Sequence, residues 1–212
     1  MRRIIQILDG TTHEPVDAFL FDEVTEAHFL QAQDLWRPML LRARDHFKGS
    51  GNAAAVPEHW GWNWADKIPQ LRIIGFTFYA IECRGQLQGL MKVDAVAHRC
   101  QLPEQKGKEL IYIAYLEAAP WNVKTVAESL GDPTAFQGIG TQLVTAAVDL
   151  SRKEGFKGRV GLHSLRQTEG FYQRIGMTAG ARDSSYENLL WYELTPASAR
   201  RFEFASESGE NQ

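Results

Sequence analysis

The chain has 212 residues, 44% of them hydrophobic and 23% charged, values ordinary for a globular protein that exclude a mostly disordered one. Its length fits a single domain, which buries roughly 70% of the surface exposed by its unfolded chain. Lys and Arg number 23 against 26 Asp and Glu, a formal charge of −3, so no general basic field draws the protein to nucleic acid or an anionic membrane.

Residues 4–8 and 18–21 read as short strands, and the first of these runs is too short for a secretory signal. From Glu26 the apolar positions Ala32, Leu35, Trp36, Met39, Leu40, Ala43 and Phe47 recur at three- and four-residue steps, which predicts an amphipathic helix with Thr25 as N-cap. Pro38 falls inside this run and predicts a kink or break near Arg37. Residues 49–57 are a loop by composition. The segment that follows, 59–64, holds three of the six tryptophans, Trp60, Trp62 and Trp64. Such a cluster serves either as packing beneath a loop or as a ligand-facing wall.

Beyond Ile73 the strand pattern strengthens. Residues 76–83 form one strand, Arg84 and Gly85 a turn, and 88–95 the returning strand. After a charged connection, 110–116 is almost continuously apolar, as a central strand covered on both faces requires, yet far shorter than a membrane span. In the connection 119–135, Asn122 is positioned to cap a short helix over 123–130, with Gly131 at its end and Pro133 beyond. This connection leaves the central strand and is expected to shape a pocket wall. Residues 139–154 read as a helix ended by Gly155, 160–163 as a strand, 167–175 as a helix ended by Gly176, and 189–194 as a last strand. The fold class is α/β with a mixed α+β sheet, in one domain over 1–204. The polar tail 205–212 reads as disordered.

The chemistry points to Ala135-Phe136-Gln137-Gly138-Ile139-Gly140-Thr141, which joins the central strand to an amphipathic helix. A helix start offers unpaired N–H groups and partial positive charge, and glycines let a phosphate approach that backbone. A third glycine at dinucleotide spacing is absent, as is the Gly-Lys-Ser/Thr ending of a P-loop. The second segment is Phe171-Tyr172-Gln173-Arg174-Ile175-Gly176-Met177, after the next strand.

Together and in this order the two segments resemble the GNAT superfamily of acetyl-CoA-dependent N-acetyltransferases. Its phosphate loop reads Gln/Arg-x-x-Gly-x-Gly/Ala and is followed downstream by an aromatic-Tyr-x-x-x-Gly-Phe pattern, whose last position is Met177 here. The resemblance covers about 73–194, taken as the catalytic half. Ala135 departs from it at the first loop position, and the connection 119–135 is longer than usual. The resemblance implies a central, mostly antiparallel sheet with helices on both faces and acetyl-CoA as acyl donor. It implies that the pyrophosphate meets the backbone of Gln137, Gly138, Ile139, Gly140 and Thr141. The pantetheine arm would pair beside Leu116 and Ala118, and Tyr172 would protonate the leaving thiolate. A phenol of reference pKa about 10 stays protonated at neutral pH and can serve a thiolate whose reference is about 8.5.

For the general base the residues leave Glu117, at the end of an apolar strand, His163, or a water. By strand alternation Glu117 shares a face with Tyr115 and Ile113. Tyr115, Trp121, Glu117 and the tryptophan cluster are expected to form an acceptor pocket whose aromatic and acidic groups suit a cationic amine, either a small molecule or a peptide. Lys153, Lys157, Arg159, Arg166 and Arg174 are either contacts for the adenosine phosphates or a solvated basic face. Cys83 and Cys100 lack CxxC spacing, and the histidines lack ligand spacing, so neither a disulfide framework nor a metal is expected. The expected compartment is the cytoplasm, and a homodimer paired through sheet edges is compatible with the resemblance. The alternative function is a module that binds acyl-CoA without catalysis.

Overall fold

The computed structural model describes residues 2–203, and the 205–212 tail lies outside them. Among the described residues nine strands form one sheet in the order β6-β1-β2-β3-β4-β5-β7-β9-β8. The strands are β1 (Arg2–Asp9), β2 (Pro15–Phe21), β3 (Phe76–Cys83), β4 (Gln86–Asp94), β5 (Ile111–Ala118), β6 (Phe136–Gln137), β7 (Val160–Ser164), β8 (Thr178–Asp183) and β9 (Leu189–Leu194). All neighbours are antiparallel except β5 and β7. Parallel neighbours need a crossover. Here it runs through the short helix α3 (Lys124–Ser129), β6 and the long helix α4 (Ile139–Lys153).

The two faces of the sheet bury separate cores. On one, α4 sets Ile139, Leu143, Val144, Ala147 and Val148 against Ile5, Ile7, Met91, Val93, Ile111 and Ile113. On the other, Phe29, Ala32 and Trp36 meet Trp64, Phe78, Ala80, Leu87 and Leu90. The run predicted as one helix from Glu26 is three pieces: α1 (Glu26–Gln31), a π turn (Ala32–Trp36) and α2 (Arg37–Gly49). Thr25 starts α1, its N–H donating to His28 Nδ1 at 3.0 Å. Pro38 lies in the first turn of α2, and the wider π turn just before it absorbs the hydrogen bond that proline cannot make. Leu35 turns outward there, 41% exposed, against the expectation from its spacing.

Four local expectations are corrected. Asn122 does not cap α3; Val123 does, and Asn122 instead ties the connection to the sheet. Its amide donates to Gln88 Oε1 at 2.9 Å and its oxygen accepts from Phe136 N at 2.9 Å. The strands β6 and β8 add pairs beyond those read from the sequence. The helix expected over 167–175 is a 3-10 turn (Arg166–Thr168) followed by α5 (Glu169–Arg174). A bulge in β5 separates Ile113 from the face of Tyr115 and Glu117, as described below. A last helix, α6, spans Pro196–Ala199. Among the described residues no helix is long and apolar enough to cross a membrane.

Candidate active site

β5 and β7 pair only at Ile111 with Val160 and Tyr112 with Gly161, and then part. On its other side β5 stays paired to β4, but the register slips: Lys92 faces Tyr115 while Val93 faces Ile113, leaving Ala114 as an extra residue. A bulge bends and twists its strand, which turns the second half of β5 away from β7. The resulting cleft encloses about 1090 Å³, at the upper end of ligand pockets. It is walled by Tyr112 to Ala118, by Leu162, His163 and Leu165, by Phe171 and Tyr172, and by residues 136–141. Asn122, Val123, Lys124 and Thr134 also line it, so the 119–135 connection forms part of the wall, as expected.

The bulge resets the alternation of β5. Ile111 and Ile113 lie in the α4-side core, and after the extra residue so do Leu116 and Ala118. Tyr115 packs in the opposite core with Trp64 and Phe78. Glu117 therefore shares the face of Tyr115 but not that of Ile113, and the cleft passes from one face of the sheet to the other.

On the α4 side, Gly138 caps α4 with φ of +93°, a conformation glycine adopts without strain, and a Cβ added there would stand in open space. The first intrahelical bond is Gln142 N–H to Gly138 O, so the N–H groups of Ile139, Gly140 and Thr141 are left without intrahelical partners. Gly140 lies under the ring of Phe171; a Cβ there would come within 2.9 Å of Phe171 Cζ. Tyr172 lines the same cleft, 6% exposed, with Phe171 and Tyr192 rings at 5.0 and 5.8 Å. Its hydroxyl makes no hydrogen bond among the described residues, and burial raises its pKa, so it remains a proton donor at neutral pH.

On the opposite face Glu117 is 4% exposed. Trp64 Nε1 donates to Glu117 Oε2 at 2.7 Å, and His59 Nε2 lies 3.9 Å from Oε1. Burial pushes the Glu117 carboxyl up to about 8, against the Trp64 hydrogen bond and the Lys67 charge, both of which favour the carboxylate. Burial pulls His59 down to about 4, so it is neutral and its contact with Glu117 is not an ion pair. The buried Nε2 of His59 has no hydrogen-bond partner among the described residues. Lys67 Nζ sits 4.0 Å from the Tyr115 ring centroid, and Trp62 meets Tyr115 edge-on at 5.0 Å. His59 and Trp62 line the cleft, Trp64 stands behind Glu117, and Trp60 stacks under Arg44 outside it. Spacing along the chain does not single out His59, because the carboxylate it faces is remote in sequence.

Two expected residues stand differently. Trp121 is not part of the cleft wall; it packs in the Trp64 core and donates from Nε1 to Gln88 Oε1 at 2.8 Å. His163 does line the cleft, but both ring nitrogens are engaged, Nδ1 with Tyr112 Oη at 3.0 Å and Nε2 with Asp183 Oδ2 at 3.3 Å. Tyr186 stacks on it at 3.9 Å. Burial lowers the His163 pKa while Asp183 opposes the shift. To take a proton His163 would first give up a partner, whereas Glu117 Oε1 makes no hydrogen bond among the described residues.

No protein-family model and no curated protein matches the chain. Among solved structures, PaiA N-acetyltransferase from Thermoplasma acidophilum in complex with coenzyme A is similar over 84% of this chain and 98% of its own, at 13% identity and a TM-score of 0.52. A GNAT-family acetyltransferase from Listeria monocytogenes 4b F2365 is similar over 89% and 98%, at 12% identity and a TM-score of 0.50. At these identities the likeness is one of architecture: the chain has the fold of the GNAT acetyltransferases.

Proposed function

We propose that the protein is an acetyl-CoA-dependent N-acetyltransferase acting on a primary amine of a small molecule or peptide. The observation that carries this reading is a through-going cleft with a glycine-lined helix start at one end, a protonated phenol along it and a buried carboxylate on the far face. The donor set fits the cofactor: the open space at Gly138 and the free N–H groups of Ile139, Gly140 and Thr141 suit a pyrophosphate, with the Gln137 backbone alongside. Leu116 and Ala118 present backbone on the edge that β7 leaves unpaired, suited to an extended pantetheine. Bound there, acetyl-CoA supplies an activated thioester acyl group.

The remaining roles belong to this chain. Glu117 Oε1 accepts the amine proton, directly or through one water, and its raised pKa brings the base close to the pH at which amines are presented. Tyr172 Oη holds its proton for the departing sulfur. Tyr115 and Trp62 offer aromatic walls to the incoming cation. The two buried, unpaired thiols of Cys83 and Cys100 support a reducing compartment, and we place the protein in the cytoplasm.

Acetyl-CoA at about 100 times its Kd adds about 2.7 kcal/mol, which raises the melting midpoint by roughly 5–10 °C for a chain of this size, while ATP and NAD give no shift. Equal shifts from ATP or NAD, or none from acetyl-CoA, refute the cofactor assignment. A binding module without catalysis would show the shift but no thiol release with any amine. Gly140→Val pushes Phe171 off the helix start and weakens acetyl-CoA binding about tenfold or more, the size of one lost hydrogen bond to a charged group, read from the same titration.

A further inference from the structure

The acceptor face of the cleft holds a cation that the acetyl-transfer reading leaves unused. Lys92 of β4 lines the cavity and is 7% exposed. Its Nζ donates to Gln70 Oε1 at 2.7 Å and lies 3.5 Å from the Phe76 ring centroid. An ammonium has three donors, so two remain for something else. Among the described residues it forms no ion pair. Asp94, the acidic side chain that acts on it, already gives Oδ1 to the N–H groups of Val96 and Ala97 at 2.7 and 3.0 Å. With a neutral amide and a ring as its direct contacts, and an Asp94 carboxylate already bonded to backbone N–H groups, a buried cation here is costly unless a further counter-charge arrives.

Its place on the sheet says which molecule brings that charge. Lys92 stands opposite Tyr115, and Glu117 stands opposite Leu90, so the two charged residues are cross-strand diagonal neighbours. Diagonal positions are about 7–8 Å apart, close enough for one small molecule to meet both side chains. The cavity's other lysine and arginine, Lys124 and Arg174, belong to α3 and α5, not to the sheet beside Glu117. Resting on that acetyl-transfer reading, we propose that the acceptor is an amine that also bears a carboxylate, with the carboxylate on Lys92 while the amine faces Glu117. One ammonium with two donors left suits a carboxylate, and Lys67, the other cation near Glu117, is engaged by the Asn63 carbonyl at 3.1 Å and the Tyr115 ring.

The test measures thiol release from acetyl-CoA with matched amines: glycine and methylamine, L-phenylalanine and 2-phenylethylamine, L-lysine and cadaverine, and β-alanine and O-phosphoethanolamine. In the native protein the carboxylated member of each reacting pair has a kcat/KM at least tenfold higher, the size of one charge-assisted hydrogen bond. Lys92→Met brings the ratio to within about twofold, chiefly by raising KM, and Lys92→Arg keeps the preference. Should Lys92→Met fail to fold, the ratios of the native protein decide alone. Equal or better turnover of the amines lacking a carboxylate, or of O-phosphoethanolamine over β-alanine, overturns the proposal and leaves acetyl transfer standing. Thiol release with none of them overturns the proposal too, and if acetyl-CoA also gives no thermal shift the acetyl-transfer reading falls with it.

Discussion

Replacing Glu117 with glutamine lowers kcat/KM for amine acetylation by about 10²–10⁴-fold, the usual contribution of a positioned general base. The glutamine amide keeps an oxygen to accept the Trp64 hydrogen bond, so the loss is one of proton transfer and not of packing. The native pH profile carries the signature: with the carboxyl pushed to about 8, kcat/KM rises with pH through that value and falls about tenfold per unit below it. Glu117→Gln removes this ionisation. A variant within threefold of the native rate, or a native profile flat from pH 6 to 9, would exclude Glu117 as the base.

The same group sets a stability difference whose sign follows from proton counting. Below the ordinary value of 4.5 the carboxyl is protonated in folded and unfolded chains alike, and contributes nothing. Between 4.5 and about 8 the unfolded chain has released its proton while the folded one retains it, so stability falls as pH rises. Above about 8 the penalty of a buried carboxylate is complete and constant. Relative to the native protein, Glu117→Gln is therefore more stable at pH 9 than at pH 5 when both are unfolded in urea. A stability difference that does not change between the two pH values contradicts the burial assigned to this carboxyl.

Tyr172→Phe lowers turnover at least tenfold and leaves acetyl-CoA binding within about twofold. The ring is fixed by Phe171 and Tyr192, and phenylalanine preserves those contacts. What disappears is one hydroxyl that makes no hydrogen bond among the described residues and keeps its proton because burial disfavours the phenolate. Rapid-mix measurement of thiol release separates the two roles open to this side chain: an unchanged rate makes Tyr172 a packing residue, and weakened acetyl-CoA binding places its hydroxyl on the cofactor before reaction.

Much of this architecture is legible locally. The α4 helix follows from the 3.6-residue spacing of Leu143, Val144, Ala147 and Val148, and its start from a glycine whose φ of +93° other residues rarely adopt. The central strand follows from its apolar run, and the break near Pro38 from proline's missing N–H. Edge strand β8 carries no such signal: its residues are small or charged and none is fully buried, so only pairing with β9 makes it a strand.

The candidate site divides along the same line. Glycines 138 and 140 and Tyr172 can be named from sequence through the resemblance their two segments carry, and the roles it implies rest on backbone freedom and a phenol's intrinsic pKa, properties each residue carries with it. Glu117 can be named as a carboxylate at a strand end, but its raised pKa comes from burial against the opposite core, which outweighs the Trp64 hydrogen bond and the Lys67 charge, and those neighbours are remote in sequence. The bulge at Ala114 sets the faces of Ile113 and Glu117 apart, and it is visible only in the register against β4. Trp121 follows β5 closely and its position suggests the pocket, yet Gln88, a buried amide on the neighbouring strand, captures its indole. Sequence alone determined the elements with strong apolar periodicity and the groups with intrinsic chemistry; tertiary structure decided edge strands, burial, facing and pairing, because desolvation and hydrogen bonding are set by neighbours that only the folded chain brings together.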